Sequence, residues 1–140
     1  MTEPLYTTEI LRLAASLDDP QVLEREDGRA DVHSRTCGSR VSLAVQLDNE
    51  RRVERLSIRV EACAFGQASA ALLARHGTGR SHHEVSDAML ALSRWLANEH
   101  EAPGDWPGIA ALAPARSKRG RHGAILLPFR ALLAAIESAR

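Results

Sequence analysis

Apolar and polar residues alternate along two consecutive stretches of the chain, and this period of two predicts two half-buried β-strands. The apolar positions are Val41, Leu43, Val45 and Leu47 in the first stretch, and Leu56, Ile58, Val60 and Ala62 in the second. The polar residues 48–51 between the stretches favour a turn, so the pair predicts a β-hairpin. A fainter alternation at Ala30 and Val32 predicts a short edge strand before the hairpin.

Helical periodicity is found on both sides of the hairpin, where apolar residues recur three and four positions apart. The predicted helices lie at 10–17, after Cys63, at 81–96 and from Pro128 onward, with a short one beginning at Trp106. Strands followed by a run of helices indicate an α+β fold, in which helices cover a small three-stranded antiparallel sheet. A length of 140 residues suits one core, so residues 1–140 are predicted to form a single domain.

Composition and charge narrow the classes of function. Hydrophobic residues make up 44% of the chain and charged residues 26%, as in ordinary soluble globular proteins. The 18 acidic and 18 basic residues cancel, which argues against a general nucleic-acid-binding protein. No apolar run approaches the roughly 20 residues of a membrane span, and residues 1–4 lack the features of a signal peptide. The sequence therefore predicts a cytoplasmic protein with no membrane and no nucleic-acid partner.

The two cysteines are the candidate chemical groups. Cys63 stands where the second hairpin strand ends and a helix begins, and the free N–H groups of a helix start favour an anion such as a thiolate. Cys37 precedes the first hairpin strand, and an antiparallel hairpin places the start of its first strand beside the end of its second. We therefore expect both thiols at the same end of the sheet. The alternative interpretation of Cys63 is a small buried core residue.

Other polar and aromatic residues are interpreted as structural. His82 and His83 point about 100° apart on a helix, so they are interpreted as exposed first-turn residues and not as a metal site. The basic run 116–122 is interpreted as a solvated loop, with a surface for an acidic partner as the alternative. Trp106 is interpreted as a core anchor.

Several short motifs occur in an order that resembles one family. They are Thr36-Cys37-Gly38-Ser39, the hairpin, Ala62-Cys63-Ala64, the break at 77–80, and Arg121-His122-Gly123-Ala124-Ile125-Leu126. Together they cover nearly the whole chain and resemble the IscU/NifU/SufU-type iron–sulfur cluster assembly scaffold family. The resemblance implies that family's fold. It also implies a transient iron–sulfur cluster, or a zinc or iron ion, as the bound group, and a cysteine desulfurase or another iron–sulfur assembly protein as the partner.

The resemblance also implies a set of ligands. The family holds its cluster or zinc ion through three cysteines; Cys37 and Cys63 match the first two, and His122 matches a histidine that often precedes the third. Ser39 stands where the family has an aspartate, and Gly123 stands where it has the third cysteine. A hydroxyl is a poor ligand compared with a carboxylate, and glycine has no side chain to offer. The expected metal ligands are therefore Cys37, Cys63 and His122.

Two hypotheses of different kinds follow. The first is a divergent scaffold-like protein that binds iron, zinc or a two-iron cluster through two cysteines and a histidine. The second is a degenerate scaffold that acts as a protein-binding module of the sulfur-transfer machinery without cluster chemistry. A thiol enzyme, with Cys37 or Cys63 as nucleophile and His122 as base, is the weaker interpretation because no oxyanion-stabilising group or orienting acid is evident. The chain is therefore expected not to be an enzyme.

Overall fold

A computed structural model describes residues 6–35 and 38–139 of the chain. The strands β1 (Gly28–His33), β2 (Arg40–Leu47) and β3 (Val53–Glu61) form an antiparallel sheet in the order β1-β2-β3. The α-helices are α1 (Thr8–Ala15), α2 (Ala64–His76), α3 (His82–Leu96) and α4 (His122–Ser138). The segments Ile109–Ser117 and Arg119–Arg121, between α3 and α4, are 3₁₀ helices. The predicted α+β fold, the hairpin and the edge strand are confirmed.

The core lies between one face of the sheet and the helices. The helix α4 packs across β1 and β2, and α2 packs on β3 and on α4. The alternating apolar side chains of β2 point into this layer, and Leu43 and Val45 are completely buried there. No helix in the described part of the chain combines the length and the apolar character needed to cross a membrane.

Two helices begin at side-chain caps. The hydroxyl of Thr7 accepts a hydrogen bond from the N–H of Ile10 at 3.1 Å and caps α1. Ser81 and Glu84 form a capping box at the start of α3, in which each side chain accepts the other residue's backbone N–H at 3.2 Å. The Arg52 guanidinium also pairs with Glu84 and, together with the Ser81 N–H, holds the pKa of that carboxyl below its usual value.

The predicted start of the short helix at Trp106 is wrong, since the 3₁₀ helix begins at Ile109. Trp106 is instead drawn into the core: it is 5% exposed, and its Nε1 donates to the carbonyl of Leu72 at 3.0 Å. Gly108 then turns the chain with a left-handed φ of 82°, so a helix begins only after it. The interpretation of Trp106 as a core anchor is confirmed.

The predicted start of the last helix at Pro128 is also wrong, because α4 begins at His122 and contains Pro128. A proline inside a helix removes one N–H donor and disturbs the preceding turn. Here the hydroxyl of Ser69 donates to the carbonyl of Ile125 in that turn at 2.6 Å. The carbonyl that loses its helical donor is that of Ala124, four residues before Pro128, so the Ser69 contact does not replace the lost bond; it anchors this turn of α4 to α2.

The basic run is not a loop. Most of it lies in the two 3₁₀ helices, and Arg116 stacks on the Trp95 ring with 5.1 Å between the guanidinium carbon and the ring centroid. The Nε of Arg116 also donates to the carbonyl of Trp95 at 2.9 Å. Lys118 and Arg119 are exposed. The sequence does not predict the Arg116–Trp95 contact. An arginine can pack its flat guanidinium on an aromatic face, but the local pattern does not show which face it will meet.

We predict that Gly28→Ala destabilises the fold. A Cβ at this position would lie 1.9 Å from the carbonyl oxygen of Ala135, so β1 and α4 would have to separate. Such overpacking costs about 1–3 kcal/mol or more, to be measured as a loss of unfolding free energy in urea. Gly120→Ala is the matched control, since a Cβ there meets no atom within 4 Å. Equal stability of the two variants would contradict the prediction.

We also predict that removing metal leaves the protein folded. In the part of the chain that the structure describes, the apolar core is one connected cluster, and neither Cys63 nor His122 is among its fully buried members. Thermal melts followed by circular dichroism should therefore be cooperative both with and without a chelator. Unfolding caused by the chelator alone would mean that the metal is structural.

Candidate metal centre

The sheet register defines the end at which the candidate site lies. Arg40, at the start of β2, pairs with Glu61, at the end of β3. Ser39 therefore approaches the segment that leads into Cys63, and the Ser34 N–H donates to the carbonyl of Ser39 at 2.9 Å across the β1–β2 turn. Cys37, which belongs to this turn in sequence, lies outside the described residues. Its predicted convergence with Cys63 and His122 stays a prediction.

Cys63 is the N-cap residue of α2. Its backbone is extended, with φ −66° and ψ 172°, and its side chain makes no capping hydrogen bond. Cys63 carries a free, half-buried thiol that packs at the margin of the core. The side chain is thus neither fully buried nor fully exposed. It stands beside the N–H groups that begin α2, where negative charge is stabilised.

His122 is the first residue of α4 and is also half-buried. Its Nε2 lies 2.8 Å from the carbonyl oxygen of Ala115. A carbonyl can only accept a hydrogen bond, so Nε2 carries the proton and donates it. The lone pair of the neutral ring is then on Nδ1. Metal-binding histidines commonly use such a hydrogen bond to orient the ring and to fix which nitrogen binds.

The first turns of α2 and α4 lie against each other. A Cβ on Gly66 would be 3.2 Å from the carbonyl oxygen of Ala124, so the two backbones approach closely here. One turn further along, the buried hydroxyl of Ser69 bonds to the carbonyl of Ile125. The starts of the two helices, which carry Cys63 and His122, therefore lie at the same end of the molecule.

Tyr6 is a residue of this end that the sequence reasoning missed. Its ring meets that of Phe65 edge to face, with 4.9 Å between the centroids. Burial raises the pKa of the Tyr6 hydroxyl, and the neighbouring Cys63 side chain raises it further, while Arg121 and the Ala64 N–H act in the opposite direction. The Cys63 side chain and the Ala64 N–H are thus among the groups that act on the Tyr6 hydroxyl. No periodicity or spacing in the sequence gives Tyr6 a role.

The adjacent histidines His82 and His83 do not belong to this site. His83 is exposed and lies 3.2 Å from Asp87, whereas the Nε2 of His82 lies 3.4 Å from the Oε2 of Glu137 at the far end of α4. His82 is half-buried, so the prediction of an exposed residue holds for His83 only. The two rings have different acidic neighbours, as expected for adjacent residues on a helix.

Comparisons with known proteins identify the family. No family model matches the chain, and no curated protein matches it. Several solved structures do match the chain. The N-terminal part of a nitrogen-fixing NifU-like protein from Brucella abortus shares 31% identity over 96% of this chain and 93% of that one, with a TM-score of 0.87. The chain belongs to the IscU/NifU/SufU-type scaffold family.

Two further structures agree with this family's fold. A candidate iron–sulfur cluster assembly scaffold protein for the SUF system from Fervidobacterium islandicum AW-1 has a TM-score of 0.83 at 17% identity, covering 94% of this chain and 96% of that one. A hypothetical protein has a TM-score of 0.75 at 21% identity, covering 92% and 96%. At these identities the likeness shows the fold alone.

The two departures from the family pattern fall at this same end. Ser39 is 4% exposed, so its short side chain is largely enclosed by protein. Gly123 lies in the first turn of α4, next to His122. Among residues 6–35 and 38–139, no three His, Cys, Asp or Glu side chains are grouped so as to hold a metal ion. Cys63 and His122 are the expected ligands within that part.

We predict that Ser69→Ala weakens the attachment of α2 to α4. The substitution removes a fully buried donor and deprives the Ile125 carbonyl of a hydrogen bond, which costs about 1–3 kcal/mol of unfolding free energy. Ser86→Ala on α3 is the control, because the half-exposed Ser86 hydroxyl makes no hydrogen bond to the described residues. That variant should stay within about 0.5 kcal/mol of the parent in denaturant titrations. A similarly small loss for Ser69→Ala would show that the bond contributes little.

Proposed function

We propose that this protein is a divergent scaffold for iron–sulfur cluster assembly, which holds iron, zinc or a two-iron cluster as cargo through Cys37, Cys63 and His122. The observation that carries the proposal is the placement of the Cys63 thiol and the His122 ring at the starts of two adjacent helices, in a chain of this family. The hydrogen bond from His122 to Ala115 supports Nδ1 as the binding nitrogen.

The chemistry of these donors fits such a cargo. Thiolate sulfur and imidazole nitrogen are preferred ligands of zinc and of iron in proteins. Two thiolates and one imidazole leave a fourth position to be filled by another donor. The half-buried position of Cys63 and His122 suits transient loading, because a cargo must be able to enter and leave.

Residues of this chain would position the ligands that bind the cargo. The N–H groups at the start of α2 would stabilise the negative charge of the Cys63 thiolate. Ala115 would keep the His122 ring in one orientation, with its unprotonated nitrogen available. Release of the cargo would exchange these ligands for those of the acceptor, and no other reaction is needed, so the proposal includes no enzymatic activity. The partners would be a cysteine desulfurase or other iron–sulfur assembly proteins, in the cytoplasm.

Metal analysis of protein purified without chelator, together with anaerobic reconstitution with iron and sulfide, tests the proposal. We expect iron or zinc near one per chain. A stably folded protein that takes up no metal would favour the second hypothesis, in which the chain serves only as a protein-binding module of the sulfur-transfer machinery.

Variants then test the ligands. We predict that His122→Ala weakens zinc binding at least tenfold, about 1.4 kcal/mol, with the fold intact. Cys37→Ala and Cys63→Ala should lose most of the bound metal. His83→Ala is the matched control, since His83 is exposed on α3 and lies 3.2 Å from Asp87. Zinc affinity that is unchanged in His122→Ala but lost in both cysteine variants would remove the histidine from the site.

A further inference from the structure

The junction between β3 and α2 consists of Ala62 and Cys63. The last residue of the strand, Glu61, pairs with Arg40 of β2, so the sheet holds the chain up to that point. Neither junction residue belongs to a strand or to a helix. The contacts that fix these two residues therefore also set where the Cys63 thiol lies.

The side chain of the N-cap residue does not fix this helix start. In most helices an N-cap side chain accepts a hydrogen bond from an N–H of the first turn. Cys63 is the N-cap residue of α2, and its side chain makes no such bond. A thiol that binds a metal must keep its sulfur available, because the thiolate is the form that acts as ligand. The junction is then left to be held by another group.

Gln67, the fourth residue of α2, is a group that holds the junction. Its side-chain Nε2 donates a hydrogen bond to the carbonyl of Ala62 at 3.0 Å. Its backbone N–H donates to the carbonyl of Cys63, also at 3.0 Å. One residue of α2 thus binds the carbonyls of both junction residues.

The side chain of Ala62 is confined by Gly66. A Cβ on Gly66 would lie 2.7 Å from the Cβ of Ala62, so the glycine allows the junction to pack directly on the first turn of α2. Ala62 is therefore fixed through its side chain and through its carbonyl. The contact to the carbonyl depends on the Gln67 amide, which a single substitution removes.

We propose that Gln67 is a positioning residue of the candidate metal centre, and that its hydrogen bond to Ala62 holds the Cys63 thiol in the orientation that binds cargo. This inference rests on the proposed function. Without the bond, the junction also adopts orientations that do not bind. The apparent affinity then falls in proportion to the fraction of molecules that remain competent.

The competing role for Gln67 is purely structural, in which the bond stabilises the start of α2 and has no effect on metal binding. Ser81→Ala is the matched comparison, because it removes the side-chain cap of α3. Ser81 lies near Glu137, at the end of α4 opposite to His122. This substitution should lower the melting temperature by a few degrees without a change in zinc affinity.

Two anaerobic measurements on the full chain test the proposal. Zinc affinity is measured by competition with a chromophoric chelator, and the thiolate-to-cobalt absorption band of cobalt-loaded protein reports how sulfur meets the metal. Gln67→Met keeps the length of the side chain but has no N–H to donate. We expect zinc binding about tenfold weaker than in the parent, near the upper end of what one hydrogen bond contributes, and a changed cobalt band. Its melting temperature should fall no further than that of Ser81→Ala.

Gln67→Lys tests whether the donor itself is responsible. This substitution keeps an N–H donor at the end of an unbranched side chain, so the cobalt band should match that of the parent. A folded Gln67→Lys variant whose band departs from the parent's would overturn the proposal. The comparison decides the question even if Gln67→Met folds poorly.

The outcomes separate this inference from the proposed function. Zinc affinity and a cobalt band that are unchanged in Gln67→Met would overturn the role of Gln67 and leave the proposed function standing. An equal loss of zinc affinity in Ser81→Ala would also overturn it, since the effect would then be one of general destabilisation. A parent protein that takes up no zinc, cobalt or iron would overturn both proposals.

Discussion

The close contact between the first turns of α2 and α4 is the constraint on which the candidate site depends. It combines the missing side chain of Gly66, which allows the backbone of Ala124 to approach, with the buried hydrogen bond from Ser69 to Ile125. Cys63 and His122 are far apart in sequence and belong to different helices. They lie at the same end of the molecule because these two contacts fix how α2 and α4 are placed relative to each other along their axes.

This contact also explains why α4 starts where it does. A proline usually marks the first turn of a helix, and on that basis Pro128 predicts a start too late in the chain. The turn before the proline is instead anchored to α2, where the hydroxyl of Ser69 donates to the carbonyl of Ile125. His122 thereby becomes the first residue of the helix and not a loop residue before it, which brings its ring against the carbonyl of Ala115.

Local periodicity predicted the hairpin because its strands alternate in residue type. Val41 and Leu43 are buried on one face of β2, and Arg40 is exposed on the other, although Ala44 and Gln46 further along that second face are buried too. The predictions that were wrong concern segments that are held by contacts remote in sequence. Trp106 is held by Leu72, and Arg116 by Trp95, and neither pairing leaves a trace in the local pattern.

The sequence predicts the ligand types of the candidate site but not their environment. Hairpin geometry and family order indicate Cys63 and His122, but only coordinates reveal which nitrogen of the histidine is available. Tyr6 lies before α1 and its ring meets that of Phe65 because α1 packs along α2, a packing that no periodicity specifies. Interactions of this kind depend on how whole helices dock.

The arrangement of helix starts has a consequence that does not depend on the individual ligands. The first N–H groups of α2 and of α4 lie at the same end of the molecule, and Arg121 adds a full positive charge there. Thiolates, sulfide and phenolate are all anions, and each is stabilised by such a potential. Substitution of the family's aspartate by Ser39 and of its third cysteine by Gly123 removes two anionic donors but leaves this positive environment in place. The fold therefore still favours an anionic group at this end of the molecule.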